Sequence, residues 1–456
     1  MKYFILALLV FLAPFHPALA DGGKILNVQK LTTPGGIEAW IVEDKTVPVI
    51  SMSFSFEGGL AYDPEGKPGV GRLVSILLDE GADQMKSQEF QSLLSDNAVN
   101  MGFTAGRDAF YGQLKTLKSN KTLAFDLLRL ALNKPRFDAD AIERMQNSNT
   151  SQIKDDMGNP GWLIARTFNG MVFEGHEYAR PGFGTSESMT RITRDDLLNF
   201  VHAQFAKDAL RVAIAGDITR EEAAGVIDAV FGDLPARREK TAATEAKFNY
   251  AGKTILLKLD APQTYISVGE AGIRREDKDW HAAVILNYIL GGGFNARLMK
   301  ELREKRGLTY GVYTSLTSMK HAAILQASLS TGNGKAGEAL KLLRHEWTKM
   351  AKEGPTAQEV QDAKSYLTGS LLLELTSTDD ISGTLNGLQR DGLDYNYINQ
   401  RNALIDAVTA ADVRRVAARL LKPENLTTVL VGKPGNITAD IMLDHPPGME
   451  TPPRKP

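Results

Sequence analysis

A helix opening on Thr-x-x-Asp, followed by a buried strand ending in glycine, occurs twice in this chain at one fixed offset. This duplication constrains the fold more than any other feature. Thr193 and Asp196 begin a helical pattern with Leu197, Phe200, Val201 and Phe205 on one face, and residues 210–216 (LRVAIAG) read as a buried strand. Thr409 and Asp412 begin the same pattern, with Val413, Val416 and Leu421, before residues 426–432 (LTTVLVG). Thr193 to Thr409, Leu210 to Leu426 and Gly216 to Gly432 are each 216 residues apart. The chain therefore reads as a duplicated domain.

Each half starts with strand-like alternation. It is clearest in residues 49–56 (VISMSFSF), where a period of two places Ile50, Met52, Phe54 and Phe56 on one face. Helix-rich stretches follow, which together with the strands imply an α+β class. Residues 236–250 are polar without an apolar period and read as a linker between domains at 21–235 and 251–445. The Pro-rich tail, 446–456, reads as disordered.

With 43% hydrophobic and 24% charged residues, the 456-residue chain has a globular composition long enough for two domains. It has no cysteine, which excludes disulfides, thiolate nucleophiles and cysteine zinc sites. A formal net charge of −2 gives no basic field for nucleic acid. Residues 1–20 carry Lys2, an apolar run from Tyr3 to Ala13 and a small-x-small ending at Ala18-Leu19-Ala20, the pattern of a cleaved signal peptide. The expected location is thus periplasmic or secreted. No later segment is long and apolar enough to span a bilayer.

From Gly58 the sequence runs GGLAYDPEGKPGVGRLVSILLDEGA, and this stretch resembles the insulinase/pitrilysin zinc peptidases. In that family the helix begins G-V-A-H-F-L-E-H; its H-x-x-E-H puts two zinc ligands one turn apart with a glutamate base between them. Gly69, Val70 and Gly71 match the lead-in, but the three working positions are Arg72, Ser75 and Ile76. The family's third ligand falls at Gln152 when its helix is aligned on Ile142, Glu143 and Arg144. Six histidines lie beyond the leader, and no two are within a helical turn. The resemblance therefore implies a degenerate site that holds no metal. His176 reads as loop packing, His202 as a surface residue, and Asp79, Glu80 and Asp83 as solvated loop charges.

Residues 290–315 (LGGGFNARLMKELREKRGLTYGVYTS) match the family more closely, through its G-G-G-x-x-S-R-L helix entry and its L-R-E-K-x-G-L-x-Y motif. In active members the arginine and tyrosine of the second motif reach the zinc half; by position these are Arg303 and Tyr310. Leu298, Leu302 and Lys305 would form the helical face that carries Arg303, Gly307 would stop the helix, and Tyr310 would begin a strand shared with Val312 and Thr314. A guanidinium can hold a peptide carbonyl or carboxylate, and a tyrosine hydroxyl can donate to an oxyanion. The plainer alternative pairs Arg303 with Glu301 or Glu304. Gly291, Gly292 and Gly293 suit a helix-entry turn, with a minor role in peptide binding left open.

The resemblance implies two homologous domains, each a mostly antiparallel sheet flanked by helices, arranged as a clamshell. It further implies a metal-free subunit of a heteromeric zinc endopeptidase. A homologous partner with an intact H-x-x-E-H would supply zinc and the general base, and Arg303 and Tyr310 would complete a composite site in the clamshell cavity for extended peptides. The rival from another class is a non-catalytic scaffold or peptide-binding protein. An autonomous hydrolase built on Ser75 lacks any nucleophile–base spacing.

Overall fold

In the computed structural model, residues 24–239, 244–435 and 437–449 are described, so the expected signal peptide lies outside the described residues. Two six-stranded sheets dominate. The first runs, in spatial order, Gln29–Thr32, Glu38–Glu43, Leu210–Gly216, Val49–Glu57, Ala109–Leu117 and Asn100–Ala105. The second runs Ile441–Leu443, Thr254–Lys258, Thr427–Gly432, Gln263–Ala271, Ala323–Gly332 and Val312–Ser318, repeating the first in all but its outermost strand, which pairs parallel where Gln29–Thr32 pairs antiparallel. In both sheets the late strand of the half inserts beside the first long strand, parallel to one neighbour and antiparallel to the other.

The repeat seen in sequence holds atom by atom. Thr193 and Thr409 each cap a helix through a reciprocal box, accepting from the backbone N–H of Asp196 and Asp412 while those side chains accept from the threonine N–H. Gly216 and Gly432 end equivalent strands with φ of 127° and 142°. A side chain at Gly216 would strike the Val49 carbonyl oxygen.

Alternation in Val49–Glu57 sends Ile50, Met52, Phe54 and Phe56 into the core of the first half, as the pattern predicts. The opposite face, with Ser51, Ser53 and Ser55, is covered by the helix Thr378–Arg390 of the second half. Ser51 Oγ donates to Asp379 Oδ1 at 2.7 Å, and Ser53 Oγ lies 2.9 Å from Ser382 Oγ. The exchange is reciprocal. The helix Pro160–Val172 of the first half packs on the second sheet, where Gly269 leaves the space that the Phe168 ring fills. The halves face one another as expected of a clamshell. The sheet faces turned toward the seam are covered by these exchanged helices, so they do not line the cavity expected for a composite site.

The described parts of the linker and tail pack against the rest of the chain. Phe248 packs with Phe168, Ala246 N–H donates to the His321 carbonyl at 2.9 Å, and Tyr250 Oη donates to Glu174 Oε2 at 2.5 Å. Of the tail expected to be disordered, residues 446–449 are packed: Pro446 and Met449 are buried, and the Pro447 carbonyl accepts from Arg166. Burial among apolar neighbours, which a Pro count does not register, is what holds this segment.

Candidate functional site

The helix Val70–Leu77 carries the degenerate motif, and a buried carboxylate fixes its start. Asp63 accepts from Gly69 N–H and Gly71 N–H, both at 2.7 Å. Burial pushes the Asp63 carboxyl up to about 7, against the pull of these two donors. Gly69 sits at φ 101°, a turn that only glycine makes without strain.

On that helix, Ser75 is buried and its Oγ donates to the Arg72 carbonyl at 2.7 Å, while Ile76 packs against the core. The Arg72 guanidinium lies 4.9 Å from the Phe183 ring centre, and its partial burial holds its pKa below the usual arginine range. Arg72 Nε is 3.5 Å from Asn149 Oδ1 on the helix Ala139–Asp156. Asn149 is buried and donates from Nδ2 to the Phe183 carbonyl at 2.8 Å. Gln152, by contrast, is exposed and donates to Asp156 Oδ1 at 3.1 Å. The position facing the motif is therefore Asn149, one turn before the residue that alignment selects. The buried residues of that helix include Ile142, Asn149 and Ile153, and this spacing was the available signal.

The second motif is built on two π-helical turns, Tyr288–Gly292 and Met299–Glu304. Gly293 N–H donates to the Tyr288 carbonyl and Lys305 N–H to the Lys300 carbonyl, each at 3.0 Å. The wide turn replaces the regular helix expected for Arg303 and changes which residues share a face. Gly307 then stops the chain at φ 56°, as the pattern predicts. Tyr310 does not begin the strand, which starts at Val312; it sits at the tip of a short loop held by Thr309 Oγ1, which donates to the Gly311 and Ser330 carbonyls at 2.7 Å.

The Arg303 guanidinium lies 5.6 Å from the ring centres of both Phe294 and Tyr310. These two rings are 67% and 90% exposed. Glu301, the alternative partner for Arg303, is taken by Lys305 and Arg306, each at 2.6 Å. Among the described residues the guanidinium has no ion pair or hydrogen bond, so its planar donors are free for a ligand. No hydrogen bond, ion pair or ring contact joins Arg303 or Tyr310 to Arg72, Ser75 or Asn149 among the described residues.

A family model described as the peptidase M16 inactive domain matches residues 191–367, the stretch that holds this motif. An uncharacterized zinc protease of Mycobacterium leprae is 26% identical over 416 residues, covering 89% of this chain and 92% of its own length. A non-peptidase homolog of Helicobacter pylori is 26% identical over 362 residues, covering 78% of this chain and 80% of its own. The solved peptidase M16 inactive domain of Pseudomonas fluorescens superposes with a TM-score of 0.85 at 28% identity, covering 92% of this chain and 100% of that one. The chain is thus similar to M16 peptidases over most of its length, and over residues 191–367 to the domain of that family described as inactive.

The M16 zinc pattern does not fit the residues present. Arginine donates and cannot coordinate, Ile76 has no ligand atom, Ser75 is committed to a backbone carbonyl, and Asn149 is neutral. Among the described residues no group of three or more His, Asp or Glu is placed to hold a metal ion. The remaining M16-like features have structural duties. A side chain at Gly291 would strike Thr314, and one at Gly293 the Tyr288 ring. Asp79, Glu80 and Asp83, expected as solvated loop charges, are tied in: Glu80 accepts from Ser87 Oγ at 2.6 Å and pairs with Arg144, Asp83 pairs with Lys134 at 3.3 Å, and Asp79 is half-buried. His176 packs at the seam, accepting from Tyr178 N–H at 3.0 Å, and His202 is exposed.

Proposed function

We propose that this chain is the metal-free subunit of a heteromeric zinc endopeptidase, contributing Arg303 and Tyr310 to a site whose zinc and general base belong to a homologous partner with an intact H-x-x-E-H. The observation that carries the reading is the Arg303 guanidinium, without an ion pair among the described residues and 5.6 Å from the centres of two exposed aromatic rings. In the assembled site, Arg303 binds a carbonyl or carboxylate of the peptide. The Tyr310 hydroxyl donates to the oxygen on which negative charge develops.

The substrate is an extended peptide. Val312–Ser318, two residues beyond Tyr310, is the edge strand of the second sheet, and an edge offers backbone groups for strand addition. The signal-peptide pattern of residues 1–20 supports a periplasmic or secreted location for the complex. A second reading, a scaffold with the peptidase fold, draws on the relative described as a non-peptidase homolog. The two separate on co-expression with an H-x-x-E-H homologue: the subunit reading expects a complex that cleaves an unfolded peptide far faster than either chain alone, and the scaffold reading expects no gain.

A further inference from the structure

Phe294 is an apolar ring left largely in water on a loop that could have carried any polar residue. Its position is nonetheless tightly built. The preceding residue, Gly293, is pressed against the Tyr288 ring, where a Cβ would come within 2.7 Å. Tyr288 is itself stacked on Tyr366, with ring centres 4.9 Å apart and planes at 27°. On the other side, Gly311 is pressed against the Tyr313 ring, where a Cβ would come within 2.9 Å, and this fixes the loop that carries Tyr310. Both arms are thus threaded past an aromatic ring through a glycine, and both present a second ring to the same guanidinium.

We propose that Phe294 is a positioning residue. Its ring, 5.6 Å from the Arg303 guanidinium as that of Tyr310 is, holds the guanidinium in the orientation that receives a carbonyl or carboxylate of an extended peptide. The physical basis is the ring quadrupole. A guanidinium stacked between two π faces keeps its N–H groups in the plane of its edge, unspent, and loses the rotamer freedom that would otherwise be lost on binding. Among the described residues no carboxylate orients Arg303, and the rings of Phe294 and Tyr310 are its aromatic contacts.

This inference rests on the proposed peptidase subunit, and the experiment separates the two. Phe294→Ala, Phe294→Leu and Phe294→Trp are compared in the reconstituted complex. Assembly is checked by size exclusion. The clamp predicts a KM raised about 2- to 5-fold in the Ala and Leu variants, the factor expected of one exposed cation–π contact, with kcat little changed and KM restored by Trp. Leu separates the ring from its bulk: a Leu variant with the parent KM overturns the clamp. So does a Phe294→Ala complex with the parent KM while Arg303→Ala is inactive; in that case the subunit reading stands. If Arg303→Ala is itself fully active, the subunit reading fails and the clamp with it.

Discussion

Arg72 and Asn149 meet across two helices, Nε to Oδ1 at 3.5 Å, where the resemblance to the zinc peptidases leads one to expect metal ligands. The pair is a cation, whose guanidinium lies over the Phe183 ring, and a neutral amide that donates to the Phe183 carbonyl.

The facing position can be tested by rebuilding it. Arg72→His, Ser75→Glu and Ile76→His combined with Asn149→Glu should give a chain that binds near-equimolar zinc. The same three changes with Gln152→Glu should bind much more weakly, because Gln152 points to solvent. Zinc per chain after dialysis is the measurement, and equal binding by the two sets would overturn the assignment of Asn149.

The tail acts as a strap between the halves. Arg166 donates to the Pro447 carbonyl from Nε at 3.0 Å and Nη2 at 2.8 Å, and to the Arg180 carbonyl at 3.1 Å. No carboxylate balances this buried cation among the described residues, and burial pushes its pKa down to about 10. Deleting residues 446–456 strips acceptors from a charged donor and should cost about 2 kcal/mol, read as a lower urea midpoint.

Asp279 gives a pH signature. Its carboxylate accepts from Arg415 Nη2 at 2.8 Å and also pairs with Arg419. Arg415 first, then Arg419, hold its pKa down to about 2. A depressed carboxylate stabilises the fold above the unfolded pKa, near 4, and this stability is lost as pH falls toward the folded value. Asp279→Asn should therefore lower Tm at pH 7, with the gap from the parent narrowing below about pH 4. A gap independent of pH would contradict the assignment.

Much of the architecture was legible in sequence because its signals are local. The 216-residue offset located equivalent capped helices and strands, and the alternation from Ile50 to Phe56 identified a core face. The opposite face was not legible, because the cover of Ser51 and Ser53 is a helix more than 300 residues away. The site divides in the same way. Arg303 and Tyr310 follow from motif spacing, but Phe294 does not, because the π turns reset which side chains converge. Gln152 displaced Asn149 because counting along a motif ignores which face of the helix is buried.

The central claim is that this chain supplies half of an active site, and one measurement bears on it most directly: peptide cleavage by the complex with an H-x-x-E-H homologue, carrying Arg303→Ala or Tyr310→Phe. Loss of an oxyanion donor predicts a fall in kcat on the order of 100- to 1,000-fold for Tyr310→Phe, and Arg303→Ala should abolish measurable activity, with the complex still assembled. Unchanged cleavage by both variants would contradict the account and leave the chain as a scaffold.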